Sequence, residues 1–82
     1  MSDSVPVRMP KLTMAATDAT FMEWLVEDGE IVEQDQPLYT VETDKVETEV
    51  PSPATGVLRY GAVREGEVYP VGTELALIEV TS

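Results

Sequence analysis

The amino-acid sequence predicts an all-β fold of two small antiparallel sheets packed face to face and related by a two-fold pseudo-symmetry. Three observations point there. Proline stands at positions 6, 10, 37, 51, 53 and 70 and glycine at 29, 56, 61, 66 and 72, which leaves no room for an uninterrupted helix of ordinary length after residue 37. The segments between them mix apolar and polar residues, as antiparallel sheets with one wet face require. The chain also repeats itself. Gly29-Glu30-Ile31-Val32 matches Gly66-Glu67-Val68-Tyr69, and at the same offset of 37 residues Val26 falls on Val63, Leu38 on Leu75, Val41 on Ile78 and Glu42 on Glu79. Two copies of a unit imply a two-fold arrangement, since a solenoid needs at least three.

Strands are expected, in order, near Val5–Met9, Thr20–Val26, Ile31–Val32, Leu38–Glu42, Thr48–Val50, Gly56–Ala62, Val68–Tyr69 and Glu74–Val80. Thr20 to Glu27 is the one segment with a helical alternative. Its repeat partner, Val57 to Val63, is broken by Gly61; the segment itself is rich in aromatic and β-branched residues and runs into Asp28-Gly29, a hairpin signal. The expected core is Val7, Met9, Leu25, Val26, Leu38, Val41, Val50, Leu58, Val63, Leu75, Leu77 and Ile78. One domain over residues 5–80 is expected, with 1–4 and 81–82 as free ends.

The repeat also predicts where things lie. Adding 37 to Lys45 reaches Ser82, so Lys45 and the C-terminus are expected at opposite ends of the molecule. Met9-Pro10 pairs with Val50-Pro51 on sequence. Ten residues then separate Pro10 from Phe21 and six separate Pro51 from Leu58, so the first half carries 10 − 6 = 4 extra residues within Lys11–Thr20. That loop is expected at the Lys45 end, where an insertion is tolerated and can carry recognition.

Composition narrows the chemistry. The chain has 82 residues, no cysteine and no histidine, so it offers no thiolate metal site, no disulfide, and neither a Ser-His-Asp nor a Cys-His nucleophile. A net charge of −11 repels nucleic acid and anionic membrane surfaces and suits basic protein partners. No apolar run approaches the ~18 residues of a membrane span, and Met1-Ser2-Asp3-Ser4 does not open a secretory signal, so a cytoplasmic location is expected.

The most distinctive stretch is Val41-Glu42-Thr43-Asp44-Lys45-Val46-Glu47-Thr48-Glu49-Val50, which reads as a hairpin with one lysine at its tip. Only Lys11 and Lys45 are lysines. An ε-amine on a flexible four-carbon stem is an acceptor for an amide bond to a carboxylic acid. Asp44 suits a tight turn, and Glu42, Glu47 and Glu49 keep it wet. On spacing alone, an ordinary solvated turn remains open beside a modification site.

Several motifs together resemble a lipoyl domain, the swinging-arm carrier of 2-oxo acid dehydrogenase complexes. They are Met9-Pro10-Lys11-Leu12, Trp24 through Val32, Gln36-Pro37-Leu38-Tyr39-Thr40-Val41-Glu42-Thr43-Asp44-Lys45-Val46, and Val50-Pro51-Ser52-Pro53-Ala54-Thr55-Gly56-Val57, covering about Val5 to Val80. The resemblance implies a flattened β-barrel of two four-stranded antiparallel sheets, a barrel-sandwich hybrid. It implies lipoate joined to Lys45 by a lipoate ligase or lipoyl transferase. It further implies acyl transfer from a thiamine diphosphate-dependent 2-oxo acid (or acetoin) dehydrogenase to an acyltransferase, with reoxidation by dihydrolipoyl dehydrogenase. The domain would be a monomeric, non-catalytic carrier. Recognition by partner enzymes would fall to Asp44, Val46 and Glu42 and to the loop residues Lys11, Leu12, Thr13 and Met14.

The chain departs from that pattern at Thr17-Asp18-Ala19, where the family often has Thr-Glu-Gly. It ends at Ser82 without an Ala/Pro-rich linker or an acyltransferase domain, as expected either of a free-standing carrier or of a piece of a larger acyltransferase. A biotinyl carrier shares the expected fold and lysine position but places methionine on both sides of the lysine, where this chain has Asp44 and Val46. An unmodified interaction module is the alternative of another class. Trp24, Tyr39, Tyr60 and Tyr69 read as packing aromatics rather than a stacking platform. Glu23, Glu27, Asp28 and Glu30 read as a solvated hairpin rather than a calcium loop.

Overall fold

The computed structural model describes residues 3–11, 14, 17–43 and 46–80. Eight strands follow one another: β1 (Asp3–Arg8), β2 (Asp18–Trp24), β3 (Ile31–Val32), β4 (Pro37–Thr43), β5 (Val46–Pro51), β6 (Gly56–Tyr60), β7 (Val68–Pro70) and β8 (Glu74–Val80). All eight stand where the sequence put them, with ends shifted by up to two residues. They form two four-stranded antiparallel sheets, ordered β1-β8-β6-β3 and β5-β4-β2-β7. Among the described residues there is no helix.

Prolines explain much of this order. Pro6, Pro51 and Pro70 lie on the edge strands β1, β5 and β7, and Pro37 opens β4. A residue without an N–H is tolerated there and not in mid-sheet.

The two sheets are copies of each other. Exchanging β1 with β5, β2 with β6, β3 with β7 and β4 with β8 turns one strand order into the other. The match extends to backbone hydrogen bonds. Gly29 donates to Leu58 and Gly66 to Phe21, at 2.7 and 2.6 Å; Leu58 donates to Glu30 and Phe21 to Glu67, at 2.9 and 2.8 Å. The left-handed turn residues pair at the same offset of 37: Gly29 and Gly66 have φ of 86° and 88°, Asp35 and Gly72 have 73° and 91°.

The register corrects the sequence pairing at the start of each half. Tyr39 faces Val50 and Ala76 faces Val7. Ser52 donates its N–H to Gln36, and Met9 donates to Thr73. So Val50 corresponds to Val7 and Ser52 to Met9, two residues away from the Met9-Pro10/Val50-Pro51 alignment. Met9 to Phe21 spans 12 residues and Ser52 to Leu58 spans 6, so the first half carries 12 − 6 = 6 extra residues rather than four. Ser52 shows why a Val-Pro-Ser-Pro run belongs here: it is fully buried, and its hydroxyl donates to the Ala54 carbonyl at 2.6 Å, closing the turn after β5.

The core holds Val7, Met9, Ala19, Phe21, Val26, Val32, Leu38, Tyr39, Val41, Val50, Leu58, Leu75, Ala76 and Ile78. Three expected members differ. Leu25 is exposed, because Trp24 and Val26 point inward and alternation turns the residue between them out. Leu77 is half-buried: Arg8 faces Glu74 but Val7 faces Ala76, so Leu75 is a bulged extra residue that shifts the inward set to Leu75, Ala76 and Ile78. Leu38, at the offset of 37, is the matching bulge opposite β5. Val63 lies beyond the end of β6 and packs half-buried against the core.

Candidate functional site

The candidate site is the β4–β5 hairpin. Its ladder runs Tyr39 opposite Val50, Thr40 opposite Glu49, Val41 opposite Thr48, Glu42 opposite Glu47 and Thr43 opposite Val46. Tyr39 and Val41 lie in the core and fix β4 against the opposite sheet. Asp44 and Lys45 connect Thr43 to Val46 in sequence, and both lie outside the described residues. Of the flanking positions, Val46 and Glu47 are exposed and Glu42 is half-buried. Glu42 faces Glu47 directly, a like-charge pair that raises the negative potential beside the Thr43–Val46 end and favours wet carboxylates there.

The pseudo-dyad exchanges this end with the end of the other sheet where Val80 faces Asp3. The chain enters β2 on the same side as the hairpin: Thr20 faces Glu42, so Asp18 and Thr17 lie toward the Thr43 end of β4. Thr17 accepts a hydrogen bond from the Val71 N–H at 2.9 Å. Of the loop residues singled out from the sequence, Lys11 and Met14 are exposed, Met14 almost completely at 93%; Leu12 and Thr13 lie outside the described residues.

The aromatics are packing groups, as expected. Phe21 and Tyr39 stack at 5.2 Å, and Trp24 meets both edge-on at 4.9 and 5.6 Å. Burial pushes the Tyr39 phenol above its ordinary range, and its hydroxyl donates to the Arg8 carbonyl at 3.2 Å. The acids considered for calcium are dispersed. Asp28 accepts from the Tyr60 N–H at 2.9 Å, Glu30 accepts from the Glu27 N–H at 3.1 Å, and Glu23 lies on the outer face of β2 opposite Thr40. Among the described residues no group of three or more acids could hold a metal ion.

Sequence reading overlooked Thr40. Tyr39 and Val41 on either side of it point inward, so the pleat turns it outward, yet it is only 5% exposed and its hydroxyl has no hydrogen-bond partner. The alternation Leu-Tyr-Thr-Val-Glu gave the direction; its burial depends on cross-strand neighbours that sequence does not specify.

The family model described as "Biotin-requiring enzyme", of the biotin/lipoyl type, matches residues 5–78. Over 80 residues the chain is 46% identical to the dihydrolipoyllysine-residue acetyltransferase component of the pyruvate dehydrogenase complex of Mycobacterium bovis, covering 98% of this chain and 14% of that protein. It is 41% identical over 75 residues to the lipoamide acyltransferase component of the branched-chain alpha-keto acid dehydrogenase complex of Pseudomonas putida, covering 90% and 18%. The chain thus spans less than a fifth of the length of these relatives. Among solved structures, the lipoyl domain of the 2-oxoglutarate dehydrogenase complex from Azotobacter vinelandii superposes with a TM-score of 0.72 at 29% identity, over 95% of this chain and 96% of that one.

Proposed function

This chain belongs to the biotin/lipoyl attachment family and is a lipoyl domain, and from that premise we propose that Lys45 carries lipoate and that the domain moves acyl groups and reducing equivalents between the active sites of a 2-oxo acid (or acetoin) dehydrogenase complex. The observation that carries the reading is the hairpin whose paired ends, Thr43 and Val46, bracket Asp44-Lys45 within a family match that runs through them.

The residues present fit the group. Covalent attachment needs an amine and solvent-facing neighbours, not a pocket, and Val46 and Glu47 are exposed. The Lys45 Nζ would hold the group as an amide to the lipoate carboxyl, the ligase first activating that carboxyl with ATP as an acyl adenylate and the amine then displacing AMP with loss of a proton. Bound lipoate supplies the dithiolane chemistry; the protein supplies presentation. A rigid pair of sheets holds the hairpin, and tethering raises the local concentration of the carried group at each successive enzyme. The domain itself is non-catalytic in this reading. Its partners are a lipoate ligase or lipoyl transferase, a thiamine diphosphate-dependent dehydrogenase, an acyltransferase and dihydrolipoyl dehydrogenase, all in the cytoplasm. Asp44, Val46, Glu42 and the loop Lys11, Leu12, Thr13 and Met14 are the surface those enzymes read. One domain over residues 5–80 suffices for this role.

Incubation with lipoate ligase, lipoate and ATP, followed by intact mass, tests the reading. One lipoyl increment is expected on the unsubstituted chain and on Lys11→Arg, and none on Lys45→Arg, whose circular dichroism should match the parent. Loss with Lys11→Arg and retention with Lys45→Arg would move the site. A biotin increment with a biotin ligase, and none with lipoate, would replace the cofactor.

A further inference from the structure

The outer face of the β5-β4-β2 sheet carries two cross-strand rows. Glu23, Thr40 and Glu49 form one, and Thr20, Glu42 and Glu47 form the other. Four carboxylates therefore surround two hydroxyl residues. Glu23, Glu47 and Glu49 are exposed. Thr40 belongs to this face by the pleat, and its hydroxyl is buried and has no hydrogen-bond partner.

The fold does not require this arrangement, because the other half of the molecule lacks it. The positions equivalent to Glu23, Thr40 and Glu49 are Arg59, Leu77 and Pro6, which face one another in the same way. Leucine at the Thr40 position serves the sheet without leaving a hydroxyl orphaned. The second half also holds its own answer to its one carboxylate: Arg59 Nε donates to Glu79 Oε1 at 2.8 Å. Among the described residues that is the one ion pair, so the four glutamates of the first half have no such arginine.

We propose that the Glu23–Thr40–Glu49 row is a docking surface for an arginine side chain of a protein partner, its guanidinium held between the carboxylates and displacing the groups that cover the Thr40 hydroxyl so that one N–H is donated to it. Arginine fits better than lysine because its planar fork presents several donors in fixed directions and accepts none. A divalent cation fits worse, since no group of three acids here stands close enough to hold one. The surface runs along the side of the hairpin and is separate from any acylation of Lys45.

The test is an NMR titration of the unmodified 82-residue chain with a peptide of alternating arginine and glycine, against its lysine counterpart, at fixed ionic strength. Shifts should concentrate at Glu23, Thr40 and Glu49. Glu49→Gln and Thr40→Val should each weaken binding by about five- to tenfold, the scale of one lost hydrogen bond to a charged or polar partner. Thr40→Val should meanwhile raise the melting temperature, which separates loss of binding from loss of fold. Glu79→Gln, on the opposite face, should leave the affinity unchanged. Equal binding of the lysine peptide, shifts spread over the whole acidic surface, unchanged affinity in Thr40→Val, or no binding at all would each overturn the proposal. Because the chain is unmodified, failure here leaves the lipoate reading standing, and failure of lipoylation leaves this one standing.

Discussion

Trp24 and Tyr60 stack with ring centroids 4.3 Å apart and planes 9° from parallel, and they are the same position in the two halves of the chain. Trp24 faces Tyr39 on β4, as Tyr60 faces Ala76 on β8. The two rings meet where the halves cross. Trp24 also touches Phe21 and Tyr39, which joins the stack to the core of the first half. The Tyr60 hydroxyl donates to the Val26 carbonyl, tying the end of β6 to the segment after β2. This contact couples two sheets that otherwise build their own ladders.

Truncating the stack should therefore cost more than its partial exposure suggests. Trp24→Ala is expected to lower the unfolding free energy by about 2–4 kcal/mol, somewhat below or within the usual cost of removing a buried aromatic. Tyr60→Phe keeps the ring and removes one hydrogen bond, at about 1 kcal/mol. Urea unfolding followed by far-UV circular dichroism checks both. If the two halves unfolded in separate transitions in Trp24→Ala, the stack would be confirmed as the coupling element; a loss below about 0.5 kcal/mol would show that it couples nothing.

Two glycines should respond to very different degrees. A Cβ on Gly56 would stand 2.3 Å from the Glu79 carbonyl oxygen and 2.8 Å from Ile78 Cγ2, so Gly56→Ala must push β6 away from β8. A loss of about 3 kcal/mol or more is expected, as for overpacking against backbone. Gly72 has open space around it and φ of 91°, and its counterpart in the other half is Asp35 at φ 73°. Since an aspartate already occupies that conformation in the first half, Gly72→Asp should cost only about 1 kcal/mol. Thermal unfolding of the pair decides it, and equal losses would contradict the close-approach argument.

The Arg59–Glu79 pair should contribute little to stability. Its side chains are 53% and 40% exposed, so solvent screens the attraction. Glu79→Gln is expected to change the unfolding free energy by less than about 0.5 kcal/mol, and by less still in high salt. A loss above 1 kcal/mol in a urea titration would mean that the pair also fixes the register of β6 on β8.

The repeat made most of this fold legible. Glycine at 29 and 66 and the apolar residues that follow set the offset between the two halves, and prolines marked edges and strand ends. What stayed hidden depends on contacts between strands. Nothing in Leu75-Ala76-Leu77 announces that Leu75 is an extra residue, so simple alternation put Leu77 inside and left Ala76 out. The Met9-Pro10 and Val50-Pro51 similarity was misleading because Ser52, a polar residue, fills the place of Met9 by bonding to its own turn. The hairpin that holds Glu42 and Val46 was legible in the sequence because charge and turn signals are local. Thr40 was not, because only pairing with Glu23 and Glu49 gives it its surroundings.

Alkaline stability should fall earlier than loss of the ladders alone would predict. Tyr39 is fully buried, and burial holds its phenol protonated well beyond the ordinary tyrosine range. Tyr60 is shifted the same way, by burial and then by the carboxylates of Asp28, Glu65, Glu27 and Glu30, which oppose a phenolate. Both groups have a folded pKa above the unfolded value, so their contribution is intact below about pH 10. Above it the unfolded chain releases protons that the folded chain retains, and stability drops as pH rises. For Tyr39 the slope approaches about 1.4 kcal/mol per pH unit until the folded group itself ionises. Urea midpoints measured from pH 8 to 11, with tyrosinate absorbance followed in parallel, should show flat stability and then a decline. Tyr39→Phe loses the bond to the Arg8 carbonyl and should be less stable by about 1 kcal/mol at pH 8. Its curve should then fall less steeply than the parent's and approach it at high pH. Parallel curves would show that the Tyr39 hydroxyl is not what the fold holds protonated.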